Sequence, residues 1–212
     1  MPSSQPHAWK ADGKFLQLKG EHSWMRGVTY GPFDSGRAPH GLPSPDRYHQ
    51  DLDLICELGA NTLRLTRSPT HDFLAACDDR GLQTLIGLNW EDFVDFFHDP
   101  AMPPKILRST RRVVSEFREP PAVSGYFVGN EINAQLVRWL GRDQVKRFLE
   151  KMIDAARNCH PGALFAYASY PTTEYLMPDN ADFVAYNVYL SGAVILPDIY
   201  NDCSILLAIA RW

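Results

Sequence analysis

The stretch GYFVGNEIN, residues 125–133, ends an apolar, β-rich run on Asn130 and Glu131. A carboxylate beside a strand that reads as buried on both faces is costly unless it is paired or used. Burial or a neighbouring carboxylate raises the pKa of such a group, which suits it to give up a proton near neutral pH. Asn130 beside it can donate its amide to a ligand hydroxyl. Asn and Glu are also at home near a helix start, so the pair equally reads as a cap for the segment that follows.

Other residues with chemical potential sit at comparable places, after runs that read as strands: Tyr30, Arg64, Trp90, Ser169 and Tyr189. Leu63 and Leu65 flank Arg64 and put it on the opposite strand face from themselves; the competing reading is a surface ion pair. Tyr189 reads either as a site residue or as a core or rim aromatic. The seven histidines are dispersed, with no HExxH and no carboxylate spacing of a metal site, so they are assigned to surface and loops. GxGxxG, GxxxxGK[ST] and GxSxG are all missing, so phosphate-binding and serine-nucleophile readings have no support. The expectation is a site without metal or cofactor.

The elements that must position these residues follow from periodicity. FLQL (15–18), a turn at Lys19-Gly20-Glu21 and WMRGVTY (24–30) read as a hairpin. After a Pro/Gly-rich loop, Tyr48, Leu52, Ile55 and Leu58 recur at helical spacing, Gly59 stops the helix, and NTLRLT (61–66) reads as a strand. Next come a helix from Pro69 to Gly81 and the strand LQTLIGL (82–88). Helices over about 104–118 and 142–158 precede the strands AVSGYFVG (122–129) and ALFAYAS (163–169). A helical turn near Thr173–Met177 leads into ADFVAYNVY (181–189).

Strands separated by such helices imply right-handed βαβ crossovers and a parallel sheet. Functional residues gathered after successive strand ends are how a (β/α)8 TIM barrel builds its active face; a doubly wound sheet would also place ligands there. After Tyr189 only 23 residues remain, with room for one more strand, Ile205–Ala210, and no eighth unit. The fold class expected is therefore α/β, a TIM-type barrel left incomplete at six to seven strands, with an N-terminal β-hairpin. Residues 1–13 are expected to be a flexible N-terminus, 14–190 the partial barrel, and 191–212 an atypical tail with a degenerate seventh strand.

Composition narrows the function classes. A net charge of −4, with basic residues scattered and no run longer than Arg111-Arg112, gives no electrostatic footprint for nucleic acid or an anionic membrane. The four cysteines stand far apart without ligand spacing and read as reduced thiols, favouring a reducing compartment. MPSSQPHAWKADGK has no apolar core of a secretion signal, and no stretch approaches the roughly 20 apolar residues that span a bilayer. A cytoplasmic location with no membrane segment in this chain is the expectation.

MRGVTYGPF, ELGANTLRL, GLQTLIGLNW, VSGYFVGNEI and ADFVAYNVY, in that order, resemble the clan A glycoside hydrolases. The likeness is strongest to family 2-like barrel domains of bacteria that sometimes accompany glycosyltransferases, and it covers roughly residues 14–190. The resemblance implies a carbohydrate substrate, an association with a glycosyltransferase, and a retaining mechanism on β-linked sugars. Glu131 then looks like the acid/base, Asn130 like the partner of the sugar 2-hydroxyl, and Arg64 like the arginine that orients the nucleophile. Asn187 and Tyr189 of YNVY would face the same site. In NWEDFVDFF, Trp90 is a sugar-stacking candidate, with Glu91, Asp92 and Asp95 able to bind hydroxyls; Phe93, Phe96 and Phe97 read as the buried side of a short helix. Tyr30 and Phe33 are further candidates to line the site.

The sequence departs from this pattern at the nucleophile, which should be a Glu ending a seventh strand. ILLAIARW holds no acid, and Asp198 and Asp202 both precede it. Two expectations stand beside the enzymatic one: a remnant that binds carbohydrate without turnover, and a shortened chain with no stable fold of its own.

Overall fold

The computed structural model describes residues 8–33, 39–188 and 205–210. Three short strands, β1 (Lys10–Asp12), β2 (Phe15–Leu18) and β3 (Glu21–His22), make a small antiparallel sheet. Lys19 and Gly20 take φ values of 57° and 81° and form its tight turn. The hairpin partner of FLQL is therefore Glu21–His22 rather than residues 24–30, which instead open the main sheet as β4 (Gly27–Tyr30).

From β4 the chain alternates. α1 (Pro45–Glu57), β5 (Thr62–Leu65), α2 (His71–Asp78), β6 (Gln83–Gly87), α3 (Met102–Glu116) and β7 (Val123–Asn130) follow in turn. α4 (Ala134–Leu140), α5 (Arg142–Arg157), β8 (Leu164–Ser169), a 3₁₀ turn (Pro171–Leu176), β9 (Phe183–Val188) and β10 (Ile205–Ala210) complete it. Each helix starts and stops where its sequence allows. Pro45 opens α1, whose Tyr48, Leu52 and Ile55 are buried at helical spacing, and the Thr70 hydroxyl accepts the Phe73 N–H at 3.2 Å to cap α2.

The main sheet has the order β10-β9-β8-β7-β6-β5-β4, with β4 to β9 parallel. These six parallel strands curl into a half barrel with the helices outside, as expected for an incomplete TIM barrel. β10 pairs with β9 in antiparallel register, Ile205 opposite Val188 and Ala210 opposite Phe183, so it is not a seventh parallel barrel strand. The short α4 was not foreseen. Residues 91–97 form turns, not a helix: Phe96 is fully buried, while Phe93 is 74% exposed.

Two apolar clusters hold the sheet. The larger lies between strands and helices and includes Leu63, Leu65, Ile86, Tyr126 and Phe165. The smaller fills the concave interior with Leu85, Phe127, Leu164, Ala166, Ala168, Phe183 and Ala185, and receives Trp9 and Leu16 from the N-terminal segment. Ala166, Ala168 and Ala185 of β8 and β9 share this cluster with the fully buried Trp9 indole. Its Nε1 donates to Thr62 Oγ1 and its backbone N–H to Ser124 Oγ, both at 2.9 Å. Thr62 and Ser124 stand at the beginnings of β5 and β7, so the small sheet plugs the N-terminal end of the half barrel. Residues 8–12 are part of the fold, against the expectation of a flexible tail there.

Candidate active site

The opposite end of the sheet collects the polar side chains. Arg64 is the third residue of β5, whose four residues are all buried, and its own exposure is 7%. Leu63 and Leu65 enter the helix-side core, so the pleat turns Arg64 into the barrel, where its guanidinium lies 5.1 Å from the Phe127 ring centre. Its Nη2 donates to Asn130 Oδ1 at 2.6 Å and its Nη1 to Asn187 Oδ1 at 2.7 Å. Asn187 Nδ2 donates to the same Asn130 Oδ1 at 2.8 Å. The three residues come from β5, β7 and β9, which are alternate strands, and alternate strands supply each interior layer of a (β/α)8 barrel.

Asn130 ends β7, and the chain turns sharply at Glu131, whose φ is 47°. A glutamate in the left-handed region carries backbone strain, which persists only where its surroundings over-determine it. Here the Glu131 N–H donates to the Ala168 carbonyl and the Ile132 N–H to the Tyr167 hydroxyl, both at 2.9 Å. Partly buried Glu131 is thus held by β8 at the rim, directly beyond the Arg64–Asn130–Asn187 layer.

Beside this layer a cavity of about 60 Å³ is lined by Arg64, Thr66, Asn89, Asp92 and Asn130, among others, with room for a few waters or for ligand hydroxyls. Burial holds the Asp92 carboxyl above the usual carboxylate range, and the Asn130 N–H, which donates to it, partly offsets this. The Thr66 hydroxyl is buried there with no protein partner. Burial first, then the nearby Asp92 and Glu131 charges, push the Tyr167 phenol well above its ordinary value, so Tyr167 stays neutral.

Four of the residues singled out in the sequence, Arg64, Asn130, Glu131 and Asn187, therefore come together. Trp90 and Tyr30 stand apart from the Arg64 layer. The Trp90 Nε1 donates to the Val128 carbonyl at 2.8 Å, and its ring meets Phe96 and Phe148 edge-on. The Tyr30 hydroxyl donates to Asp51 Oδ2 at 2.9 Å and its ring stacks on Phe73, which ties β4 to α1. Tyr189, Asp198 and Asp202 lie outside the described residues. Tyr167 and Thr66 are further residues at the site that no pattern in the sequence marks. Tyr167 sits within the apolar ALFAYAS run, where nothing separates it from core, and Thr66 is one small residue past its strand.

Among the described residues no group of three His, Cys, Asp or Glu could hold a metal ion, and no helix is long and apolar enough to cross a membrane. Cys56, Cys77 and Cys159 are free thiols.

No family model matches the chain. A 1,3-beta-glucanosyltransferase, GAS5 of Saccharomyces cerevisiae, is 25% identical over 129 residues, 58% of this chain and 27% of that protein. Among solved structures, Saccharomyces cerevisiae Gas2p in complex with laminaritriose and laminaritetraose aligns with a TM-score of 0.66 at 22% identity, over 87% of this chain and 46% of that one. A Bacteroides uniformis beta-glucuronidase aligns with a TM-score of 0.69 at 20% identity, over 85% of this chain and 23% of that one. The chain thus spans less than half the length of each of these proteins. The yeast and the bacterial structures fit about equally well, so the fold does not single out the bacterial, family 2-like group. What the chain shares with both is the curled parallel sheet, built here as a half barrel.

Proposed function

We propose that this chain carries the proton-donating site of a β-glucan-active glycosidase or transglycosylase, with Glu131 as its acid/base. One observation carries the reading: Arg64, Asn130 and Asn187 form a closed hydrogen-bonded layer across three alternate strands, directly beneath a strained Glu131. Two donors fix the Asn130 carbonyl, which leaves its Nδ2 amide for a sugar hydroxyl. The likeness to a yeast glucanosyltransferase favours β-1,3-glucan and transfer over the bacterial, family 2-like assignment.

In the retaining chemistry proposed, Glu131 protonates the leaving glycosidic oxygen while a carboxylate about 5–5.5 Å away attacks the anomeric carbon. Glu131 then takes a proton from the incoming water or sugar hydroxyl, which releases the glycosyl ester. Asp92 and Thr66, in the adjoining cavity, are placed to accept and donate to sugar hydroxyls. No acid occurs in Ile205–Ala210, the strand beside β9, so no nucleophile is assigned there. That feature favours a second reading, a domain that binds glucan without turning it over.

Incubating the chain with β-1,3-linked gluco-oligosaccharides and separating the products by chromatography tests the first reading. Shorter products indicate hydrolysis and longer ones transfer. Binding by calorimetry with unchanged oligosaccharide would support the second reading instead.

A further inference from the structure

The loop after β6 and the helix after β7 carry large aromatic side chains into solvent. Trp139, near the end of α4, is 79% exposed, and Phe93 is 74% exposed. The Trp139 indole is nevertheless fixed: its Nε1 donates to Asp95 Oδ2 at 3.1 Å. The other oxygen of the same carboxylate accepts the Phe97 and His98 N–H groups at 3.1 and 2.9 Å. Phe96, next in sequence, is fully buried against Trp90 and Phe148, which anchors the turn to the core.

Asp95 thus joins two elements that leave neighbouring strands and pre-sets an exposed ring. Asp92, in the same loop, accepts the Asn130 N–H, so the platform adjoins the candidate active site. Resting on the function proposed above, we propose that Trp139 and Phe93 form a stacking platform for sugar units of a β-glucan chain that extends beyond the unit held at Glu131. The chemistry fits. The C–H face of a pyranose is apolar and matches the electron-rich face of an aromatic ring, while Glu91 and Asp92 offer acceptors for its hydroxyls. Holding the indole in place beforehand lowers the ordering cost of binding. The acidic residues interleaved with the aromatics suit a neutral, hydroxyl-rich ligand better than an anionic one.

The test is calorimetric titration of the wild-type chain, Trp139→Ala and Trp139→Phe with a β-1,3-linked glucose disaccharide and the corresponding pentasaccharide. The wild type is expected to bind the pentasaccharide about tenfold more tightly than the disaccharide, a difference of about 1.4 kcal/mol. Trp139→Ala should remove that gain and leave the disaccharide affinity unchanged, and Trp139→Phe should keep most of it. An equal unfolding midpoint for the variants shows that an exposed ring was removed without harm to the fold. The inference is overturned if Trp139→Ala binds the pentasaccharide as tightly as wild type, or weakens both sugars equally. If the wild type binds neither sugar, the proposed function itself fails, and the platform falls with it.

Discussion

At the scale of the residue, Arg64 organises the polar groups at the open end of the barrel through its bonds to Asn130 and Asn187. Replacing Arg64 by Met leaves Asn130 Oδ1 a donor in Asn187, but removes the donor that Arg64 Nη1 supplies to Asn187 Oδ1 inside the barrel. An unsatisfied buried acceptor costs about 1–3 kcal/mol, which urea unfolding should register as a lower midpoint. Arg64→Lys should not restore the layer, because one ammonium cannot supply the two-pronged donation that spans Asn130 and Asn187. Asp92 makes a prediction with a sign. Burial raises its folded pKa above the unfolded value near 4, so its stabilising contribution is present below that value and is lost as pH rises through the raised pKa. Wild type should therefore lose stability relative to Asp92→Asn across that window, and a pH series of unfolding midpoints measures it. Arg64 was legible in the sequence because strand alternation decides which way it faces, whereas Asn130, Glu131 and Asn187 were singled out by their places at strand ends and by the family resemblance. The placement of Trp90 and Tyr30 was not legible, because a ring at a strand end is placed by whichever partner its polar atom finds: the Val128 carbonyl in one case and the Asp51 carboxylate in the other.

At the scale of the element, the half barrel depends on contacts that composition hides. Trp9 lies in a polar stretch, yet it is fully buried and makes two hydrogen bonds to β5 and β7. Trp9→Ala should cost about 3–5 kcal/mol by chemical denaturation, whereas a loose tail would show no change. Gly125 marks a second critical point, where a Cβ would run into the Leu164 carbonyl oxygen of β8. Gly125→Ala should force β7 and β8 apart and lower the unfolding midpoint more than Gly59→Ala at the end of α1, where the added methyl meets open space and only the φ of 76° is strained. The helices and parallel strands could be read from the sequence because buried residues recur at the right period, as Tyr48, Leu52 and Ile55 do in α1. The pairing of the first hairpin could not. FLQL, EH and WMRGVTY are each compatible with an edge strand, so the sequence alone does not choose between the pairings. α4 is too short for its period to stand out.

At the scale of the whole molecule, six parallel strands curl around an interior filled from below by the N-terminal sheet and open above onto the Arg64 layer. That arrangement was legible as an incomplete barrel, because each βα repeat announces itself and the count stops short of eight. The direction of β10 was not, since six apolar residues read the same parallel or antiparallel. At the open end of the half barrel, Glu131 is proposed to be the proton donor of a glycan-cleaving or glycan-transferring site. The most direct test of this role compares the wild-type chain with Glu131→Gln on a β-1,3-linked gluco-oligosaccharide and on an aryl β-glucoside with a good leaving group. General acid catalysis is worth about 10²–10⁴-fold, so the variant should lose that much kcat/KM on the oligosaccharide. The loss on the aryl glycoside should be smaller, because its leaving group departs without a proton. Cleavage or transfer of the oligosaccharide by Glu131→Gln at the wild-type rate would contradict the account.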